Sequence, residues 1–402
     1  MEYTIQREAK TLLVINGIFG FAIALGGIFL QVFLFGLGGF HVVVEYNLVS
    51  ACVLVLFYII SGLMLTKMST RDLLLIGIGS HVLLFISLFL FREQSLDFLI
   101  LLGFINGAAT GIFWAAMNLL QYIFTTSETR HAYFGRQSFL FSITGGIAPI
   151  IGGTIISLVG FFTSKDIGYS VVFFVIALLM VMLYHTAATL PDHGTIQFSM
   201  RDVLTHRRSK LWLYVIVMDF CNGLFDFMFA SFSAVIIFLI VKDELILGSI
   251  NAAGAIVASC AGLAAGMILK RNKLAFIPAS FMAALGIFLF ALEQNWWGLG
   301  ALVFLFSAAM PIIDIESTKA LFDVLDRSGH EWKKKYHFFL ERENALGLGR
   351  VVSLFICFFL ITGENDLHIA RSALGVVACI PLVVGLIRYR ILQITRRLEK
   401  EI

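Results

Sequence analysis

Residues 15–21 read INGIFGF, and residues 221–227, which lie 206 positions later, read CNGLFDF. Two more pairs of segments match in chain order at nearly the same offset. They are YNLVSACVLVLFYIISGLMLTK (46–67) with INAAGAIVASCAGLAAGMILKR (250–271), and YFGRQS (133–138) with FLEREN (339–344). These matches indicate a duplicated unit. We predict an N-terminal half at 1–190, a cytoplasmic linker at 191–210 and a C-terminal half at 211–402.

The composition is that of an integral membrane protein. Of the 402 residues, 59% are hydrophobic and 14% are charged, whereas soluble domains contain roughly 25% charged residues. Five cysteines occur singly within apolar segments, without the spacing of a disulfide framework or a metal site. Composition therefore excludes a disordered chain and a large soluble domain, and we expect neither a metal nor a cofactor.

Apolar windows between charged or turn-rich breaks predict an all-α protein with twelve transmembrane helices, because about 20 apolar residues cross a bilayer. The windows lie near residues 11–36, 43–65, 72–91, 97–123, 134–161, 167–189, 211–241, 246–269, 274–292, 298–322, 343–362 and 370–391. Of the 29 Lys and Arg residues, 23 lie at the termini or in the segments that follow even-numbered helices, and four lie in the segments that follow odd-numbered helices. Because basic loops favour the cytoplasm, we predict a multi-pass cell-membrane protein with both termini cytoplasmic.

Two six-helix halves in parallel repeat are the layout of the major facilitator superfamily, which this chain resembles over its whole length. The family's loop between helices 2 and 3 usually reads G-x-x-x-D-R-x-G-R-R. GLMLTKMSTR (62–71) retains Gly62, Lys67 and Arg71 but has Thr66 in place of the aspartate. The resemblance implies a gating role for the three retained residues, while the missing acid puts the family's charge relay in doubt.

A second resemblance lies in helix 5, where drug/proton antiporters of the superfamily carry G-P-x-x-G-G. APIIGG (148–153) retains Pro149, Gly152 and Gly153. Proline removes a backbone hydrogen bond, and glycines permit close helix packing. The resemblance implies a bent gating helix packed against the other half, and it favours export. The alternative is an ordinary contact between small residues.

Ionisable residues inside spans usually mark transport pathways, because a charge in hydrocarbon costs several kcal/mol. Asp219, Asn222 and Asp226 are spaced by three and four residues, which places them on one stripe of helix 7. We predict that Asp219 and Asp226 couple transport to protons and that Asn222 binds substrate. The alternative for each aspartate is a fixed interhelical ion pair or hydrogen bond.

Helices 10 and 11 add further charges. Asp314 and Glu316 are two residues apart and therefore lie on different faces. We assign Asp314 to proton coupling and expect Glu316 to pair with Lys319. Glu343 and Arg350 are candidate substrate residues, and Arg350 is expected either to pair with Asp219, Asp314 or Glu343, or to bind an anionic substrate group.

Spans before Asp219 contain no interior acid, and we predict that Asn16, Trp114 and Asn118 present hydrogen-bonding and aromatic surface to substrate. In the repeat, Gly20 corresponds to Asp226 and Trp114 corresponds to Asp314. The halves have therefore diverged, with charge concentrated in the C-terminal one. Gly103, Gly107 and Gly111 predict close helix packing.

These patterns predict a secondary transporter, namely a proton-coupled exporter of an amphiphilic, aromatic or lipid-like small molecule by alternating access. A proton-coupled uptake symporter of a sugar or organic anion is the first alternative, and a receptor or membrane-embedded enzyme is the second. HExxH, GxSxG and Walker patterns are absent from the sequence, so an enzyme has no support. We expect a monomer that binds its substrate, protons and, through basic residues at 330–339 and 388–400, membrane lipids, but no nucleic acid.

Overall fold

A computed structural model describes residues 6–126, 129–205, 208–327, 336–363 and 365–398, and every described element is helical. A 3₁₀ turn, Arg92–Leu96, precedes α3, and a π-helical turn, Leu302–Phe306, joins α10 to α11. The α-helices are α1 (Arg7–Met64), α2 (Thr70–Phe91), α3 (Leu99–Phe124), α4 (Arg130–Phe162), α5 (Lys165–Ala188), α6 (Met200–Thr205), α7 (Lys210–Val241), α8 (Glu244–Arg271), α9 (Phe276–Leu292), α10 (Trp296–Ala301), α11 (Ser307–Arg327), α12 (Tyr336–Leu360), α13 (Asp366–Val377) and α14 (Ile380–Leu398).

The described helices are consistent with the predicted twelve membrane crossings. Ten are long and apolar enough to span a bilayer. One of them, α1, has 58 residues and a kink at Gly38 and Gly39, and the segment on each side of the kink exceeds the about 20 residues needed to cross a bilayer once. Counting α1 twice and adding the 17-residue α9 to the other nine gives the predicted twelve.

The first two predicted helices are confirmed, whereas the last one differs from the structure. The helices at 11–36 and 43–65 lie within α1 on either side of a kink at non-helical Gly38 and Gly39. Gly39 has a φ of 73°, a conformation that glycine adopts without the steric cost of a side chain. The predicted last helix at 370–391 is divided into α13 and α14, because Pro381 lacks the backbone N–H that would continue a helix and fits the first turn of a new one.

The starts of α7 and α8 follow local capping chemistry. Ser209 begins α7 by accepting a hydrogen bond from the backbone N–H of Trp212, at 3.1 Å. Asp243 begins α8 by accepting from Ile246 N–H, at 2.8 Å. Each side chain satisfies a backbone donor that has no partner within the helix. These caps fix the positions at which α7 and α8 enter the bundle.

Small residues bring helices into backbone contact. A Cβ atom on Gly103, Gly107 or Gly111 of α3 would crowd the backbone carbonyls of three α1 residues, Tyr46, Ser50 and Leu54. The predicted close packing of these glycines is confirmed. Helices α1–α5, here the N-terminal helices, and α7–α14, here the C-terminal helices, also meet each other, chiefly through α4 with α8 and α1 with α12.

The bundle has two ends. At the linker end, the backbone N–H of Ile196 donates to Leu65 O, at 3.0 Å, and attaches the linker to the end of α1. At the opposite end lie the starts of α5 and α8. Part of the lipid-contact prediction, the basic residues at 330–335 and Lys400, lies outside the described residues.

Candidate substrate and proton site

A cavity of about 250 Å³ lies among α7, α11, α12 and α14. The predicted Asp219, Asn222, Asp226 and Asp314 all line it, and Glu316 does not. The stripe on α7 and the opposite faces of Asp314 and Glu316 are therefore seen in the structure. The other described lining residues are Phe225, Met310, Ile313, Ser317, Arg342, Leu346, Ile380, Pro381 and Val384.

Asp226 and Arg350 form an ion pair between α7 and α12. The Nε atom of Arg350 donates to Oδ2 of Asp226 at 3.0 Å, and Nη2 contacts the same oxygen. The predicted partners of Arg350 (Asp219, Asp314 or Glu343) were wrong, because helical periodicity identifies a face but not the neighbour across it. The guanidinium group also lies over the ring of Phe227, 4.7 Å from its centroid.

Two glycines allow α7 and α12 to approach closely enough for this pair. A Cβ atom on Gly223 would overlap the carbonyl oxygen of Leu346, and one on Gly349 would overlap that of Phe220. Neither glycine was among the residues predicted to pack closely. The sequence could have indicated them, since Gly223 lies three residues from Asp226 and Gly349 lies next to Arg350.

Asp219 occupies the linker-end side of the cavity and is only 5% exposed. Its Oδ2 atom lies 3.3 Å from Nε of Arg342 without making a hydrogen bond, and its Oδ1 atom accepts from Asn222 at 3.5 Å. Arg342 also contacts Glu343, at 3.3 Å. Arg342 was predicted only as a basic loop residue, because the predicted helix began at residue 343.

Asp314 reaches the cavity from α11. Its side chain is exposed to the cavity and has no hydrogen-bond or ion-pair partner among the described residues. Glu316 points elsewhere and pairs with Arg388 of α14 at 2.9 Å. The expected partner of Glu316, Lys319, has a side chain outside the described part of the chain, and Arg388 replaces it as the observed partner.

The N-terminal candidates do not line the described cavity. Asn16 is fully buried and donates to Tyr133 Oη and Leu12 O, each at 3.0 Å. In this conformation Asn16 contacts α4 rather than the described cavity, and its role in substrate binding stays a prediction. Trp114 is half-buried and packs edge-on against Phe19 and Phe113.

Asn118 and Glu343, both predicted to bind substrate, contact each other. The amide of Asn118 donates to Oε1 of Glu343 at 3.3 Å and to Tyr58 Oη at 3.2 Å. The Tyr336 hydroxyl donates to Tyr58 O at 2.7 Å, and the two rings stack. These contacts join the N- and C-terminal helices at the linker end.

The predicted gating residues fall into different environments. Gly62 leaves room for the rings of Tyr336 and Phe198, each within 3 Å of where its Cβ would lie. Arg71 pairs with Asp72 at 3.2 Å and with the linker residue Asp192 at 3.7 Å. Lys67 is exposed at the same end.

The APIIGG motif (148–153) of predicted helix 5 lies in α4 and packs across the bundle. Gly153 lies against the backbone of Glu244, Gly248 lies against the carbonyl of Pro149, and Gly152 lies against α1 through Leu25 and Phe29. Nearby, Glu244 accepts from Lys165 Nζ at 2.8 Å and from Tyr169 Oη at 3.2 Å. The N- and C-terminal helices are thus in contact at both ends of the bundle.

The sequence matches the model of the Major Facilitator Superfamily over residues 12–330. The chain belongs to this superfamily. Two bacterial relatives match as well. The Bacillus subtilis (strain 168) "Uncharacterized protein YqgE" is 26% identical over 371 residues, covering 90% of this chain and 84% of that protein. A Geobacillus stearothermophilus "Uncharacterized protein in sodM 3'region" is 29% identical over 177 residues, covering 44% and 81%.

Solved structures of superfamily transporters share the fold. The nucleoside transporter NupG matches with a TM-score of 0.67 and 14% identity, over 96% of this chain and 100% of that one. The E. coli fucose:proton symporter FucP matches with a TM-score of 0.63 and 13% identity, over 94% and 98%. A proton-dependent oligopeptide transporter structure matches with a TM-score of 0.70 and 12% identity, over 97% and 99%.

Membership of the Major Facilitator Superfamily settles the general class of this protein. It is a multi-pass membrane transporter of small-molecule substrates rather than an enzyme. The all-helical fold and the family predicted from the repeat are confirmed.

Proposed function

We propose that this transporter is a proton-coupled antiporter that exports an amphiphilic or aromatic small molecule. The observation that carries the proposal is the pair of carboxylates in one cavity: Asp226 is bound to Arg350, and Asp314 has no partner among the described residues. A carboxylate that opens to a cavity without a cationic partner can bind a proton without first breaking an ion pair. Asp314 is therefore available to take up a proton.

The ion pair gives the proton a means of changing the structure. Asp226 is 44% exposed while Arg350 is 13% exposed, so the carboxylate is open to the cavity and the guanidinium is shielded. Protonation of Asp226 would remove its charge and weaken its hold on Arg350 of α12. Because α12 also packs on α1, this change would reach the interface between the N- and C-terminal helices.

Two observations favour export over uptake of a small polar solute. Seven of the thirteen described lining residues are apolar, and Asn222 is the one amide in the described lining. Pro149 and Gly153 pack α4 against α8, as expected for the antiporter-like motif. The fucose:proton symporter among the structural neighbours keeps uptake symport as the competing assignment. In the proposed orientation both termini lie in the cytoplasm, and the protein works as a monomer in the plasma membrane.

The sign of proton movement distinguishes these assignments. Purified protein is reconstituted into liposomes containing a pH-sensitive dye, with the membrane potential clamped by potassium and valinomycin. Benzyltrimethylammonium, benzenesulfonate and phenylalanine are added outside as aromatic probes, and fucose, uridine and a dipeptide as polar probes. Antiport of an aromatic probe makes the interior more alkaline, whereas symport of a polar probe makes it more acidic.

Asp226→Asn and Asp314→Asn are expected to abolish substrate-driven proton movement. Asp97→Asn is the matched control, because Asp97 is exposed in the loop between α2 and α3. Interior acidification by the polar probes would replace the proposal with uptake symport. Absence of proton movement with every probe would refute proton coupling.

A further inference from the structure

The cavity carries more negative than positive charge. Its ionisable lining groups, with their direct ion-pair partners, are four carboxylates and two guanidinium groups. Two negative charges are therefore uncompensated when every group is ionised. Because an unpaired charge within a membrane costs several kcal/mol, the site requires cations from outside this set of side chains. The six groups are Asp219, Asp226, Asp314, Glu343, Arg342 and Arg350.

Both guanidinium groups are already engaged. Arg350 binds Asp226 and lies over Phe227, and Arg342 lies between Asp219 and Glu343. Arg388 of α14, another helix that lines the cavity, is paired with Glu316. An anionic substrate would have to break one of these pairs and would increase the excess of negative charge, so the geometry opposes an anionic ligand.

Acceptor atoms remain available for a cation. Asp314 faces the cavity without a partner among the described residues. Asp226 lines the same cavity and is 44% exposed, so a cation can also reach its carboxylate, whereas Oδ2 of the buried Asp219 faces Nε of Arg342 at 3.3 Å. Apolar groups complete the walls, chiefly Phe225, Met310 and Ile313. The site therefore combines carboxylate acceptors with a surface for an apolar body.

We infer that this cavity binds a small monovalent organic cation, whose ammonium or guanidinium group contacts Asp314 and Asp226 while its apolar body packs on Phe225, Met310 and Ile313. The volume of about 250 Å³ is just below the ~300 to ~1,000 Å³ of typical small-molecule pockets, which favours a one-ring body. This inference rests on the proposed function and specifies its substrate. One cation and one proton, or two protons, would balance the same two charges, so the two ligands compete.

Competition for carboxylates predicts a pH dependence of binding. Apart from the six groups that define the charge balance, none of the described residues lining the cavity is titratable or charged. Lowering the pH from about 8 to about 5.5 should weaken cation binding, by at most about tenfold per pH unit for each proton displaced. A quaternary ammonium probe keeps its charge at every pH, so any change in its affinity with pH comes from titration of the protein.

The test is ligand-dependent thermal stabilisation of the full-length protein in detergent. Benzyltrimethylammonium and phenylguanidinium are the cationic probes, benzenesulfonate is the anionic one, and benzyl alcohol is neutral. Both cations are expected to raise the melting temperature at about pH 8. The dissociation constant should increase at least about tenfold in Asp314→Asn and remain near that of the parent in Asp97→Asn.

Asp314→Glu retains the charge and should retain cation binding, which separates loss of charge from loss of folding. Stabilisation by benzenesulfonate but by neither cation, or cation binding unchanged in both Asp314→Asn and Asp226→Asn, overturns the inference. Absence of any shift with either cation also overturns it. Binding in detergent does not require a proton gradient. A failure to bind cations would therefore leave the result of the liposome test of proton coupling open.

Discussion

The ammonium group of Lys165 lies 2.8 Å from a carboxylate oxygen of Glu244 and joins α5 to α8 at the end of the bundle away from the linker. The two residues differ in environment, since the side chain of Glu244 is 2% exposed and that of Lys165 is 56% exposed. Tyr169 donates to the same carboxylate. A buried carboxylate with two donors from the N-terminal helices is suited to hold this end closed.

Glu244→Gln is predicted to open this end more often, because it removes the charge and nearly preserves the shape. Ser231→Cys provides a buried reporter, since Ser231 is 2% exposed and accepts from Asn47 of α1 at 3.1 Å. A membrane-impermeant maleimide should label this cysteine at least about threefold faster in Glu244→Gln, corresponding to a shift of somewhat less than 1 kcal/mol. The same protein without the reporter corrects for labelling of native cysteines.

Asp97→Asn removes an exposed charge at the same end and should leave the labelling rate unchanged. Equal rates in Glu244→Gln and the parent would mean that backbone packing of Gly153 and Gly248, rather than the ion pair, holds α4 and α8 together.

The linker end depends on a different type of contact. Tyr336→Phe removes the hydroxyl that donates to Tyr58 O but preserves the stacked ring. We expect a loss of about 1 kcal/mol, the typical net contribution of one hydrogen bond, measured as a lower melting temperature. Tyr389→Phe is the control, because no hydrogen bond of the half-buried Tyr389 hydroxyl is found among the described residues. Equal melting temperatures of the two variants would contradict this assignment.

Gly223 and Gly349 set the distance between α7 and α12. Gly223→Ala places a methyl group on the Leu346 carbonyl and should destabilise the protein by about 1–3 kcal/mol, as overpacking does. It should also separate Asp226 from Arg350 and reduce proton-coupled transport. Gly266→Ala is the matched control, because its Cβ would have no heavy atom within 4 Å. That variant should be neutral or more stable, since alanine favours a helix by about 1 kcal/mol over glycine.

The sequence determined much of the fold through apolar length and periodicity, but it did not determine partners. Spacing placed Asp219, Asn222 and Asp226 on one face, and all three line one cavity. The partner of Arg350 could not be predicted, because it depends on how closely α7 approaches α12. That approach is set by one glycine on each helix. The sequence of a single span does not show which glycine of another span it will meet.

Divergence between the repeats explains why the described charged cavity lies among the C-terminal helices. Gly20, the repeat counterpart of Asp226, leaves space for the ring of Phe141, and Trp114, the counterpart of Asp314, packs on Phe19. Side-chain packing thus occupies in the N-terminal helices the positions that carboxylates occupy in the C-terminal helices. The sequence alignment indicated this difference in charge, but not the aromatic contacts that replace it.

Glu316 and Asp314 provide a final test of which membrane carboxylate serves transport. Glu316 and Arg388 are 7% and 5% exposed and pair at 2.9 Å. Breaking a buried pair by removing one partner typically costs about 3–5 kcal/mol, whereas replacing both with apolar residues is often neutral. Glu316→Met and Arg388→Met should therefore each lower the melting temperature, and the double variant should recover most of the loss. The recovered double variant should still move protons with substrate, whereas Asp314→Asn, two residues away on the cavity face, should not. A stable double variant that has lost proton movement would assign Glu316 to coupling and contradict the division of roles between the two faces of α11.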